Sequence, residues 1–314
     1  MRTTAAQLVV HGEPLVVEEV ELPAPADGES VVEMAYAGVN PVDRYHALGR
    51  VAPATPLPRT LGAEGVGRLD GRWVVVHGHG LGSLRDGTWA DAAVVPVAAT
   101  VEVPAGVGPL AAAAMGVAGV TAWRTVTELG RVTAEDRVLV LGASGGVGSM
   151  IVSLARSIGA TVWGQTGSDA KAPGVRSHGA SHVVVAGTGD LARAVADLRP
   201  TVVFDPLGAG YTGAAVEAMA PHGRLVTFGT SAETHGTLPL QSLYRKGLTV
   251  IGYGGLIEPE EAISRGIAAA LGALASGRLE ATVDSVLPLA QVGEAFDRIA
   301  GRRVQGKLVL DLRA

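Results

Sequence analysis

The sequence contains no cysteine, which excludes disulfides, thiolate nucleophiles, cysteine-ligated zinc and iron–sulfur clusters together. Phenylalanine occurs only 3 times and aromatic residues make up 4% of the chain against 47% hydrophobic residues, so the core is aliphatic. No run of Lys or Arg could track a phosphate backbone. With a net charge of −5 and a pI of about 5.9, nucleic acid is not an expected partner. The N-terminus, Met1 to His11, lacks the apolar segment and small-residue cleavage site of a secretory signal, so a cytoplasmic protein is expected. Two uncharged stretches, Val103–Trp123 and Val138–Ala155, reach membrane-like length, but both are rich in Gly and Ala, which gain little from lipid. They are expected to be core, with no membrane span.

What is present divides the 314 residues in two, as a chain of this length predicts. The first hundred residues read as short strands broken by Pro and Gly, at 6–10, 15–21, 31–38, 65–69, 73–76 and 92–97. No helical stretch long enough for a crossover separates them, so a compact antiparallel barrel or sandwich is expected. Ala-rich helical segments follow at 110–115 and 118–128, and then strands and helices alternate. Apolar runs at 137–141, 161–165, 181–185, 201–204, 224–228 and 248–253 read as parallel strands of a doubly wound sheet. A helix at 259–275 precedes strand, helix and strand patterns at 283–287, 289–299 and 307–312, which could return to either domain.

The turn after the first parallel strand reads Ala143-Ser144-Gly145-Gly146-Val147-Gly148. Glycines there let the backbone approach a pyrophosphate, and the helix that follows offers free N–H groups and the positive end of its dipole. Alone the pattern fits any strand-to-helix turn; strand, loop, helix and second strand in order make it a dinucleotide loop. About 20 residues past such a loop, enzymes that use NAD carry an acidic residue for the ribose hydroxyls. Here the second strand ends in Gln165-Thr166-Gly167-Ser168, with Lys171 three residues on. Neutral hydroxyls and a cation suit a 2′-phosphate, so NADPH is expected, bound by Thr166, Gly167, Ser168 and Lys171. Asp169 could instead turn inward onto the ribose, and Lys171 could be a solvated surface lysine.

The Tyr-x-x-x-Lys pair of short-chain dehydrogenases is absent, because the residues four after Tyr36, Tyr45, Tyr211, Tyr244 and Tyr253 are Asn40, Gly49, Ala215, Leu248 and Ile257. Four other segments, 37–43 (AGVNPVD), 61–67 (LGAEGVG), 119–123 (GVTAW) and 306–310 (GKLVL), resemble the medium-chain dehydrogenase/reductase superfamily. The glycine loop resembles its zinc-independent quinone oxidoreductase, zeta-crystallin-like branch. The resemblance covers essentially the whole chain in order. It implies an α/β protein: a chaperonin-10-like (GroES-like), β-rich catalytic domain formed by residues 1–118 and 257–314, with an inserted Rossmann doubly wound parallel-sheet domain at 119–256.

In zinc-dependent relatives a Cys and a His hold the metal; here the Gly-His-Glu-like position reads Gly62-Ala63-Glu64, so no metal site is expected. His77 and His79 lack a third ligand nearby in sequence and read as loop histidines. Without a metal, the reaction must be one in which hydride delivery is most of the chemistry, as with quinones and enones. The resemblance places Asn40 and Tyr45 beside the nicotinamide as catalytic candidates and Thr121 at its carboxamide. It puts Asp205, Leu207, Phe228, Gly229 and Thr230 near the nicotinamide ribose and makes Tyr253 and Lys307 cofactor-side candidates. Asn40 before Pro41 also fits a plain turn, and Asp205 and its neighbours fit helix caps. Val51 stands where enoyl-thioester reductases of lipid or polyketide synthesis carry a proton-donating tyrosine, and Ser153 replaces a common glutamine. A quinone or enone is therefore the expected acceptor, an enoyl thioester the alternative, and an inactive cofactor-binding structural or RNA-binding protein the third reading. The family implies a homodimer.

Overall fold

The computed structural model describes all residues from Met1 to Ala314. In chain order it contains β1 (Arg2–Leu8), β2 (Val16–Glu21), β3 (Glu29–Val39), α1 (Pro41–Ala47), β4 (Arg59–Thr60), β5 (Glu64–Leu69), β6 (Arg72–His77), β7 (Ala92–Pro96) and β8 (Thr100–Glu102). A helical path follows through α2 (Pro109–Ala112) and α3 (Val120–Arg124). Then come β9 (Arg137–Val140), α4 (Gly146–Ile158), β10 (Thr161–Thr166), α5 (Ala172–Ser177), β11 (His182–Val185), α6 (Leu191–Ala194), β12 (Val202–Asp205), α7 (Ala209–Ala218), β13 (Arg224–Thr227), β14 (Glu233–Gly236), α8 (Leu240–Lys246) and β15 (Thr249–Gly252). The chain ends with α9 (Glu260–Ala275), β16 (Val283–Pro288), α10 (Val292–Ala300) and β17 (Lys307–Asp311). No helix is long and apolar enough to cross a membrane.

Two compact units result: Met1–Val120 with Leu256–Ala275 and Ala281–Ala314, and Thr121–Gly255 with Ser276–Glu280. In the first, a seven-stranded sheet runs β16-β17-β3-β5-β6-β8 with β7 also paired to β3, and a three-stranded sheet runs β2-β1-β4. All pairs are antiparallel except β16 with β17, so the C-terminal strand enters beside β3 and closes the sheet that the N-terminal residues began. Leu8, Leu61, Val95, Leu308 and Leu310 fill its core, and Trp89, fully buried, packs its ring 5.7 Å from that of Phe296.

The second unit holds six parallel strands in the order β11-β10-β9-β12-β13-β15. This is the doubly wound order, and its direction reverses between β9 and β12. Val138 to Leu141 are wholly buried, as a central parallel strand requires. On α4, Met150, Ile151, Leu154 and Ala155 form the buried face, and Gly159 ends the helix at φ +101°, where a side chain would be strained.

Two expectations change. Where Asn40 before Pro41 fits a plain turn, residues 41–47 form α1, because Pro41 sits at the first helical position, where its missing N–H costs nothing, and Asp43 accepts the Asn40 N–H at 2.7 Å. The Ala-rich stretches at 110–115 and 118–128 contain π turns at Met115–Gly119 and Thr125–Leu129. In the first, the Val117 N–H donates to a Glu64 carboxylate oxygen at 2.7 Å. In the second, the Thr125 hydroxyl donates to Thr121 O at 2.6 Å, loosening the ladder.

Candidate active site

Each unit carries its own group of the expected residues. In the second, β9 hands the chain to α4 through Gly142, at φ +60°, and Gly145, the residue capping the helix. A Cβ on Gly148 would lie 2.4 Å from the Gly142 carbonyl oxygen, so helix and loop approach more closely than any side chain allows. The N–H groups of Gly146, Val147 and Gly148 fall in the first helical turn and have no partner within the helix. Ser144 Oγ lies 3.3 Å from Thr166 Oγ1 and ties the loop to the end of β10. Gln165 is a second tie: its Oε1 accepts the Gly142 N–H at 3.0 Å and its Nε2 donates to Ala186 O at 2.7 Å.

Beyond Thr166, which is buried, Gly167 is exposed, with open space where a Cβ would stand. Ser168 precedes a single turn, Asp169–Lys171, that ends on a half-buried Lys171. Asp205 spends its carboxylate inside its own loop, accepting the N–H groups of Leu207 at 2.8 Å and Gly208 at 3.1 Å and the Thr212 hydroxyl at 2.6 Å. These three bonds shape that loop. Phe228 and Gly229 are half-buried and Thr230 exposed after β13, and the Phe228 N–H donates to Asp205 O at 3.1 Å. Tyr253 and Thr121 are both buried, and the guanidinium of Arg124 stands 5.8 Å from the Tyr253 ring centre. Glycines without clearance for side chains, unspent helix N–H groups and an open turn beyond β10 fit a dinucleotide's phosphates and ribose.

The group in the first unit is built from charge. Glu64 on β5 is fully buried, and Lys307 at the start of β17 is 3% exposed. The Lys307 ammonium donates both to Glu64 Oε1 and to Asn40 Oδ1, while Asn40 Nδ2 donates to the same Glu64 oxygen at 2.8 Å. The other Glu64 oxygen takes the Val117 N–H. Two glycines make room: a Cβ on Gly38 would meet Glu64 Oε1 at 2.2 Å, and one on Gly116 would meet Glu64 Oε2 at 2.6 Å. Burial pushes the Glu64 carboxyl up, but the Lys307 charge and hydrogen bond, His77 and the Asn40 amide outweigh it and hold the group below the usual carboxylate range. Asp43 is also buried, accepting the Asn40 and Ala63 N–H groups at 2.7 and 3.0 Å. Its carboxyl is pushed up to about 6, chiefly by desolvation, against those hydrogen bonds and Lys307.

Of the residues expected here, Asn40 and Lys307 therefore meet directly, 267 positions apart. Asn40 caps α1 with its backbone, and its amide points away to Glu64 and Lys307, which is more than a turn residue needs. Tyr45 stands half-buried on α1, outside the buried face formed by Asp43, His46 and Ala47. His77 Nδ1 lies 2.6 Å from Ala63 O and His79 Nε2 3.8 Å from Glu260; no cluster of three or more His, Asp or Glu could hold a metal. Glu64, Asp43 and Gln165 escaped the sequence reading. Only Glu64 left a trace there, as a lone charge between Leu61 and Val66 in an uncharged run.

A β-rich unit made from both chain ends around an inserted doubly wound unit is the architecture of the medium-chain dehydrogenases and reductases, and the chain belongs to that superfamily. Residues 146–264 match the zinc-binding dehydrogenase family. A prostaglandin reductase-3 from Bos taurus is 30% identical over 74% of this chain and 66% of its own length. A quinone oxidoreductase from Pseudomonas syringae superposes with a TM-score of 0.87 at 25% identity, covering 98% of this chain and 99% of that one. A mycobacterial protein whose structure holds NADPH shares the fold, with a TM-score of 0.87, 24% identity and coverage of 98% and 99%. Within the superfamily the chain falls in the zinc-independent, quinone oxidoreductase branch.

Proposed function

We propose that this protein is an NADPH-dependent reductase that delivers hydride to a quinone or an enone without a metal. The observation that carries the reading is the glycine loop with its unspent helix N–H groups, followed by a turn that ends on a lysine. When bound, the nicotinamide supplies the hydride, and a conjugated carbonyl accepts it without further activation. Gly146, Val147 and Gly148 receive the pyrophosphate through backbone N–H groups, and Gly145 shapes the turn before them. Ser168 and Lys171 hold the 2′-phosphate, and Thr166 and Gly167 leave room for the ribose that carries it. Asn40 holds the acceptor oxygen through the amide hydrogen that Glu64 leaves unused, and Lys307 fixes the rotation of that amide. The Tyr45 hydroxyl supplies the proton to the reduced product.

The purified protein, mixed with NADPH and a small quinone, an enone and crotonyl-CoA in turn, should oxidise NADPH with the first two. Turnover of the thioester alone would replace this reading by enoyl reduction, and no turnover with any would reject both. The protein is a homodimer through β15, which pairs only with β13 and leaves its outer edge open. Val250 on that strand and Leu240 and Tyr244 on α8 are exposed, as a strand-edge interface requires. Light scattering after size exclusion should give two chains for the wild type and one for Val250→Lys.

A further inference from the structure

A second set of buried cationic and imidazole groups in the first unit takes no part in the site above. Arg59 on β4, opposite Leu8 of β1, is 2% exposed, and none of its three guanidinium nitrogens has a hydrogen-bond partner. His46 on α1 is 1% exposed; its Nδ1 lies 3.2 Å from Val51 O, and its Nε2 has no partner. His11, just past β1, has its Nε2 3.4 Å from Pro53 O, while its buried Nδ1 is unpartnered. A Cβ on Gly49 would lie 3.0 Å from the His11 ring, so that ring packs directly on the chain leaving α1. His46 and His11 thus both touch residues 49–58, the segment that Arg59 follows, and the Arg59 charge reaches His46.

No carboxylate balances them. Asp86 is the acid whose charge reaches Arg59, but it forms no ion pair with the guanidinium and gives its Oδ1 to the Thr60 N–H at 2.8 Å. Asp43, one turn before His46, gives its two oxygens to Asn40 and Ala63. Burial lowers the pKa of both groups, and the Arg59 charge lowers that of His46 further, so the two also oppose each other. A buried guanidinium without an acceptor is among the costliest arrangements a fold can hold. Water would satisfy its N–H groups but leave the charge. A small anion does both, and by offsetting the guanidinium it lets His46 protonate and donate from Nε2 as well.

We propose that Arg59, His46 and His11 form a buried binding site for a small monovalent anion of the halide class beneath residues 49–58. The bound anion pins that segment to α1, the helix that begins next to Asn40. Crystals of the full chain grown with bromide should show an anomalous peak within hydrogen-bonding distance of the Arg59 guanidinium. A water there, or the Asp86 carboxylate swung onto the guanidinium, overturns the proposal. In solution at constant ionic strength, bromide or chloride replacing gluconate should raise the wild-type Tm saturably by about 2–4 °C, a response missing in Arg59→Met. An equal rise with every salt, or the same rise in Arg59→Met, overturns it too. A bromide peak without any shift in solution marks an adventitious ion only and has the same consequence. Should Arg59→Met fail to fold, the wild-type crystal and the halide–gluconate comparison decide alone.

Discussion

The two groups of candidate residues, one in each unit, solve opposite problems. The loop at 142–148 carries no charged side chain, holds its shape through glycine and the Gln165 tie, and leaves its helix N–H groups unspent. The cluster of Asn40, Asp43, Glu64 and Lys307 is buried and charged, and its hydrogen-bonding groups are almost all used on one another. A surface that must accept a large anion keeps its donors free, whereas one that must fix a single amide uses its charges to lock it. The glycine loop should therefore fail on added bulk, and the buried cluster above all on loss of charge.

The largest effect expected from breaking this contrast is that of Lys307→Met. It leaves Glu64 as a buried carboxylate without its cation, and about 3–5 kcal/mol of stability should go, read by denaturant unfolding. The double variant Glu64→Gln, Lys307→Met should recover much of that loss, since no charge then remains unpaired. A loss under 1 kcal/mol for the single variant would show that Lys307 is not what holds Glu64 ionised.

The next effect is in pH. Asp43 carries a folded pKa of about 6 against an ordinary 3.8, so between those values the native state binds the extra proton and stability falls as pH rises. The span corresponds to about 3 kcal/mol at most. Glu64, held low, acts with the opposite sign and at lower pH, losing stability as pH falls. His46, held low by burial, also gains stability as pH rises toward the ordinary histidine value. The Asp43 contribution is therefore isolated as the difference in slope between wild type and Asp43→Asn from about pH 4 to 6.5, where the variant should lose the downward part. Identical slopes would mean that Asp43 titrates as an ordinary carboxyl.

In the other group, Gly148→Ala tests bulk. Its methyl would enter at 2.4 Å from the Gly142 carbonyl oxygen, a backbone atom that has no rotamer to yield. About 1–3 kcal/mol of overpacking should follow, with weaker NADPH binding by fluorescence titration. Unchanged affinity would separate the glycine requirement from the ligand.

These groups were not equally legible in the sequence. Gly145 and Gly148 are local: strand, turn and helix adjoin in the chain, and glycine shows directly what the backbone must do. That the strands run parallel followed from the same local alternation, but their order in the sheet did not. The charged cluster was hidden because it is assembled by topology. Lys307 reaches Asn40 only because β17 enters antiparallel beside β3, pairing Leu308 with Val39, and no spacing rule joins positions that far apart. Glu64 could be seen as an uncompensated charge in an uncharged run but could not be given a partner. The helix α1 was missed for a different reason, since Asn40-Pro41 reads as a turn and only the Asp43 cap makes it the start of a helix. The π turn at 115–119 likewise has a distant partner, a carboxylate from β5 that accepts the Val117 N–H.

The smallest effect is the one that assigns the cofactor. Lys171 ends the turn after β10 and is the cation proposed to meet the 2′-phosphate, while Asp169 opens the same turn and is exposed. Lys171→Glu reverses a charge at a partly solvated position, where one charge-assisted contact is worth about 1.5–3 kcal/mol, so KM for NADPH should rise about tenfold or more. NADH has no phosphate there, and its KM should hardly move. The ratio of the two effects matters more than either alone, because a merely structural lysine would lower activity with both cofactors equally. An equal loss would also shift attention to Asp169, whose carboxylate would then be the group positioned for a bare ribose, and Asp169→Asn would impair NADH use selectively. The uncharged group would in that case choose its ligand by an acid, as NAD enzymes do, and its contrast with the buried cluster would narrow to the glycine loop itself.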